Sequence, residues 1–144
     1  MSEDSEGWLE KVAEGERAAH RLLPAILADA RSVGMTLDVQ LRLDEWGVLE
    51  VLVSYEPGRP HESASNGGLP LPVETDADLL VRLADEVQEV TMERDQVNVF
   101  VWPVCPTHQL GGHANVVAGV AVWSCRGSGG HVLAPIGELS GAGR

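Results

Sequence analysis

The sequence predicts an α+β domain, with an antiparallel sheet and two main helices. Three observations lead there. Apolar residues recur at helical spacing over 7–33 and again over 75–95, and they alternate at period two over 37–43. Short apolar runs, broken by glycine and proline, fill the last third. Elements of each kind grouped in this way favour separate helical and antiparallel layers over a parallel βαβ repeat.

The first helix is read from Trp8, Val12, Ala19, Leu22, Leu23, Ile26, Ala30 and Val33, with charges between them. Pro24 falls inside the stretch and predicts a kink or a second start there. Gly34 supplies a stop. Leu37, Val39, Leu41 and Leu43 alternate with Asp38, Gln40 and Arg42, a half-buried strand. After Asp44-Glu45-Trp46-Gly47 the run Val48–Val53 returns, so the pair reads as a hairpin cornered on Gly47. From 56 to 74, four prolines, three glycines and a Ser-Ala-Ser-Asn run predict a loop or disordered linker. Thr75 caps the second helix, with Asp78 three residues on as in a capping box, and Leu79, Leu80, Leu83, Val87 and Val90 form its apolar stripe. Three strands are expected after it: Val97–Trp102, Asn115–Ser124 and His131–Ala134.

A chain of 144 residues suits a single domain, 1–144, able to bury about 68–70% of its unfolded surface. With only 4% aromatic residues, the core must be aliphatic. Net charge is −12, and 21 of the 22 acidic residues lie at or before Asp95. Such a field repels phosphate backbones and anionic lipid surfaces, so neither nucleic acid nor membrane is an expected partner; a basic protein partner or a small ligand is compatible with it. No signal-like or membrane-spanning run is visible, which points to the cytoplasm. Thiols there stay reduced, so a Cys105–Cys125 disulfide is not expected.

The segment 96–139 is nearly free of charge, yet it holds both cysteines and three of the five histidines. They run Cys105-x2-His108-x4-His113-x11-Cys125-x5-His131. Zinc takes four nitrogen or sulfur ligands in a tetrahedron, commonly a close pair on one turn and a second pair from elsewhere. Cys105 and His108 fit the first pair. Cys125 returns to that turn if its strand forms a zinc-ribbon-like hairpin, and Gly111-Gly112 brings His113 near. Two thiolates, two neutral imidazoles and Zn²⁺ sum to zero charge, which suits an uncharged region. With Cys105, His108, His113 and Cys125 bound, the site is closed and structural; His131 is then a neighbour of the ligands or unrelated. Trp102 and Trp123 end two strands and either pack over this group or contact a ligand or partner.

Two other readings use the same residues or the same fold. Cys105, followed by proline and near His108, could serve as a reactive thiolate with Cys125 as resolving thiol, making the protein a thiol-dependent enzyme. A hydrophobic-ligand carrier would need an internal cavity. Gly127-Ser-Gly-Gly130 lacks the Gly-Lys-Ser/Thr ending of a phosphate loop, and Ser128 has no nucleophile-elbow pattern around it.

Leu83-Ala-Asp-Glu-Val-Gln-Glu-Val, Trp102-Pro-Val-Cys-Pro-Thr-His108, Ala121-Val-Trp-Ser-Cys125 and Ala134-Pro-Ile-Gly-Glu-Leu139 resemble segments of a group of small uncharacterised actinobacterial proteins. The likeness covers about the last 60 residues. It consists of a Trp-Pro-x-Cys-Pro-x-His segment, a further His and a Trp-x-Cys segment. The resemblance implies Cys105, His108, His113 and Cys125 as the ligand set and leaves His131 out; it implies no enzymatic activity.

Overall fold

A computed structural model describes residues 3–54, 63–64, 68–93 and 102–139. The fold is α+β, as expected. Helix α1 (Glu3–Ser32) leads into the hairpin β1 (Asp38–Leu43) and β2 (Val48–Ser54). Two short strands, β3 (Ser63–Ala64) and β4 (Leu69–Pro70), both pair antiparallel with β2. Helix α2 (Asp76–Glu93) follows, and then a second antiparallel sheet in the order β5 (His113–Val117), β6 (Val120–Cys125), β7 (His131–Pro135).

Helix α1 runs through Pro24 without starting a second helix. Proline costs the helix one amide, but Ala19, Leu23, Ile26 and Ala30 are buried on both sides of it, and that packing holds the helix in one piece. At its end the amide of Gly34 bonds to the carbonyl of Arg31 at 3.0 Å, and that of Met35 to Ala30 at 2.9 Å. This is a Schellman cap, with Gly34 at φ +93° in the position that disfavours a side chain. The Thr75 cap forms as the sequence predicts. Its Oγ1 accepts the Asp78 amide at 3.1 Å and donates to the Asp78 carboxylate at 2.8 Å.

The β1–β2 hairpin forms as expected, with Leu43 opposite Leu49. The Asp44 carboxylate accepts the amides of Trp46 and Val48 at 2.8 and 2.9 Å, which fixes the turn and leaves Trp46 75% exposed. The 56–74 segment differs in part from the expected loop. Residues 63–64 and 69–70 extend the β2 edge, and the rest of 55–67 lies outside the described residues. So does the strand expected over 97–102, apart from Trp102. The run expected as one strand, Asn115–Ser124, is a hairpin. Ala118 and Gly119, at φ +50° and +80°, turn the chain between β5 and β6, and Val117 faces Val120. Ala-Gly carries none of the turn signal of Asn-Gly, and the apolar residues on both sides gave no break in pattern.

Helix α2 packs against both sheets, and α1 packs along α2. The core is aliphatic apart from Trp102 and Trp123, whose rings meet at 5.4 Å between centroids, tilted by 59°. Polar groups tie them in. The Trp102 indole N–H donates to Thr91 Oγ1 at 2.8 Å. The buried Gln88 amide donates to the carbonyls of Trp102 and Gly112 at 2.7 and 2.9 Å. Asp29, 1% exposed, accepts three N–H groups: the Trp123 indole at 2.7 Å and the backbone amides of Gly137 and Leu139 at 2.6 and 3.0 Å.

Replacing Asp29 by alanine strands these three donors in the core. Each charge-assisted bond is worth about 1.5–3 kcal/mol, so a loss of about 3 kcal/mol or more is expected, read as a lower urea midpoint. An unfolding free energy within about 0.5 kcal/mol of the parent protein would show that Asp29 does not hold the second sheet.

Candidate metal centre

Four side chains converge at one end of the second sheet. The Sγ atoms of Cys105 and Cys125 and one ring nitrogen each of His108 and His131 all lie within 4.8 Å of one another. Cys105 Sγ is 3.5 Å from His108 Nδ1 and 3.4 Å from His131 Nε2. Cys125 Sγ is 3.5 Å from His108 Nδ1, and the two imidazole nitrogens are 3.3 Å apart. With Zn–S near 2.3 Å and Zn–N near 2.05 Å, a regular tetrahedron has S···N edges of about 3.6 Å and an N···N edge of about 3.3 Å. The donor set fits a tetrahedral ion of this size in its chemistry and along these four edges, and the remaining two, Cys105 to Cys125 and Cys125 to His131, lie within 4.8 Å.

Strand parity explains why His131 is a member and His113 is not. Partners opposite each other in a ladder share a face, and successive residues alternate. Cys125 lies opposite His131, whereas His113 lies opposite Ser124, one residue earlier and on the other face. The expected set of Cys105, His108, His113 and Cys125 is thus corrected at one position. His131 supplies the fourth donor in place of the neighbouring role expected for it, and His113 faces away. Burial, and then the Arg126 guanidinium, push His113 below the usual imidazole range against a hydrogen bond to the Ser124 backbone.

Of the two roles expected for Trp102 and Trp123, packing is the one the structure shows, and the ligand or partner contact is corrected. At 1% and 0% exposure they are core, out of reach of a ligand or partner. Trp123 and Cys125 share one face of β6, two residues apart, so one strand carries both the core anchor and a thiol.

The surrounding backbone suits thiolates. Burial pushes the Cys105 thiol up, but the backbone of His108, the His108 ring, the backbone of Thr107 and Cys125 together outweigh it and bring the pKa down to about 6. The amide of Gly127 donates to Cys125 Sγ at 3.3 Å. Each cysteine therefore sits on a turn whose amides point at its sulfur, which lowers the energy of the anion that a metal requires. The turn after Cys105 is pinned by its amide to the Leu110 carbonyl and by the Gln109 amide to its own carbonyl, both at 2.8 Å.

Two residues around the donors were weighed in the sequence only as part of a phosphate loop or as a nucleophile, and their role here was not expected. Ser128 Oγ lies 2.9 Å from His108 Nε2, so that nitrogen is engaged outside the cluster and Nδ1 is turned inward. Gly127 backs the His108 ring so closely that an added Cβ would stand 2.5 Å from its Cγ. The sequence signal for both was the Gly127-Ser-Gly-Gly130 run, which has no phosphate-loop context and whose meaning appears only once Cys125 and His131 are opposed across it.

No family model, no curated protein and no solved structure matches this chain. Among the described residues no helix is long and apolar enough to cross a membrane.

The ligand set has a direct test. His131→Ala removes a donor and is expected to abolish stoichiometric binding of Zn²⁺ or its spectroscopic substitute Co²⁺, whereas His113→Ala keeps one ion per chain. Ser128→Ala frees the His108 ring and is expected to weaken affinity about 10–100-fold, measured by competition with a chromophoric chelator. The reverse order of His131 and His113 would restore the set expected from sequence.

Proposed function

We propose that this protein is a small cytoplasmic accessory protein whose second sheet is stabilised by one structural zinc ion, held by Cys105, His108, Cys125 and His131. The carrying observation is the match of the four-donor spacing to a tetrahedral ion. Two thiolates and two neutral imidazoles neutralise a divalent cation, in a segment with almost no other charge. Zinc is favoured over harder cations, which take oxygen ligands, and a two-sulfur, two-nitrogen tetrahedron is its common structural form.

When bound, the ion supplies cross-linking between the Cys105 turn, the end of β6 and the start of β7. The arrangement is zinc-ribbon-like in carrying ligands on a turn and on hairpin strands. Four protein donors leave no position for a water, so the reading is structural rather than catalytic. The thiol-enzyme alternative needs only Cys105 with His108 and Cys125. It gives no reason for His131 Nε2 to stand 3.4 Å from the same sulfur.

Activity then lies in binding. The surface that favours a protein partner is the β1–β2 turn, where Trp46 stands exposed beside Asp44 and Glu45, while the Trp8 ring packs under the turn near Gly47. An exposed tryptophan amid acidic groups suits a partner carrying arginine or lysine.

Protein purified without added metal is expected to carry about one zinc per chain by elemental analysis. At zinc in 100-fold excess over its dissociation constant the ion contributes about 2.7 kcal/mol, so removing it by chelation is expected to lower Tm by about 10 °C. A metal-free protein with unchanged Tm overturns the structural role.

A further inference from the structure

The metal centre holds every cysteine of the chain, and they are only two. We propose that this centre, on the reading that it holds zinc, is a redox switch: hydrogen peroxide or a similar two-electron oxidant joins Cys105 to Cys125 and so releases the ion.

Geometry carries the proposal. The two sulfurs stand within 4.8 Å of each other, and a disulfide needs about 2.05 Å, so side-chain rotation at one or both cysteines has under about 3 Å to close. The two residues lie on different elements, a turn and a strand end, 20 apart in sequence, so the bond closes a real loop rather than a strained neighbouring pair. No other thiol competes for either sulfur within the chain.

Access is one-sided. A solvent-open groove of about 370 Å³ is bordered by His113, Ser124, Cys125, Arg126 and His131, and Cys105 is not among its lining residues. His131 itself is exposed. Both cysteines are 0% exposed, and the groove runs along the His113 and Ser124 face. An oxidant therefore reaches the cluster past the exposed His131, whose strand partner is Cys125, and Cys125 is assigned as the first to react. Its sulfur attacks one peroxide oxygen, the O–O bond breaks, and hydroxide leaves; Cys125 becomes a sulfenic acid. Cys105 sulfur then attacks Cys125 sulfur, the S–O bond breaks, and a second hydroxide leaves. Two thiolates and one peroxide thus give one disulfide and two hydroxides; the sulfur pair loses the two electrons that the peroxide gains. What remains of the donor set is His108 and His131, two imidazoles, too few to retain the ion against solvent.

The structure also gives the change a mechanical consequence. Ser128 holds His108 through Nε2, and Gly127 backs its ring. With the sulfurs drawn together, the His108 ring and the Gly127–Gly129 turn lose their common centre, while the disulfide keeps the Cys105 turn tied to β6. The oxidised protein is expected to stay folded and to differ at this end of the sheet alone.

The experiment uses the full chain loaded with zinc, whose content is measured before oxidant is added. Hydrogen peroxide is then titrated in. Expected are loss of two hydrogens by mass, loss of both alkylatable thiols, and release of one zinc per chain to a chromophoric chelator with the same time course, all reversed by dithiothreitol and added zinc. Cys105→Ser is expected to trap the Cys125 sulfenic acid as a dimedone adduct, and Cys125→Ser to give at least a tenfold slower reaction. Loaded protein that keeps its zinc and both thiols under excess peroxide overturns the switch alone. So does release of zinc through sulfinic acids or intermolecular dimers without an internal disulfide. A protein that never holds zinc overturns the metal reading, and the switch falls with it.

Discussion

The carboxylate of Asp29 is the interaction on which the second sheet depends. It sits at 1% exposure on α1 and gathers N–H groups from Trp123 on β6 and from Gly137 and Leu139 beyond β7. A buried carboxylate with fewer donors would be costly, because its desolvation is offset only by the bonds it makes. With three it becomes an anchor, since any displacement of the sheet breaks several bonds at once. Gln88 does the same from α2, holding the carbonyls of Trp102 and Gly112 on either side of the Cys105 turn. The helices thereby fix both segments that bring sulfur to the site.

A three-stranded sheet has one face to bury and two edges to protect. Here the face is buried through Trp123 against Trp102, and the far end is left with Cys125 and His131, beyond the reach of the aliphatic core. Two sulfurs and two imidazoles packed together are donors without a shared acceptor of positive charge. Bonds among thiols and imidazoles satisfy part of their polarity, but a single divalent cation satisfies all four. The centre and the core are thus alternate solutions to one problem along one strand. Trp123 closes the sheet onto the helices by apolar burial, and two residues later Cys125 offers a donor that could close it by coordination. The Asp29 anchor fixes one end of β6, and an ion held by the four donors would fix the other.

Much of this was legible in the sequence where signals are local. The Thr75 cap, the Gly34 stop, the hairpin at Asp44-Glu45-Trp46-Gly47 and the α2 stripe are all settled by residues a few positions apart. Cys105, His108 and Cys125 were legible for the same reason, since a Cys-x2-His pair ending a strand suggests a ligand turn. What failed was non-local. His113 was preferred to His131 because Gly111-Gly112 brings it near the Cys105 turn and the resemblance includes it, but ligand choice is decided by the face of a ladder whose register depends on the Ala118-Gly119 turn, and that turn was hidden in a largely apolar run. Asp29 and Gln88 could not be distinguished from the many polar residues on helix faces, since their partners lie 94 and 14 residues away. For Trp102 and Trp123 the sequence left packing and ligand contact both open; the indole partners that draw them inside, Thr91 and Asp29, come from the helices.

The charge distribution completes the physical account. The chain carries 21 of its 22 acidic side chains at or before Asp95, outside the donor segment, whose centre would be neutral when filled. The long-range field of such a chain concentrates divalent cations near its surface, with no carboxylate required in the donor set. Selection among those cations then falls to the donors, and sulfur with imidazole discriminates against the magnesium and calcium that the field attracts equally well. Attraction and recognition are therefore carried by different parts of the chain. This division lets the donor segment stay free of charge, which an acidic ligand shell would not allow.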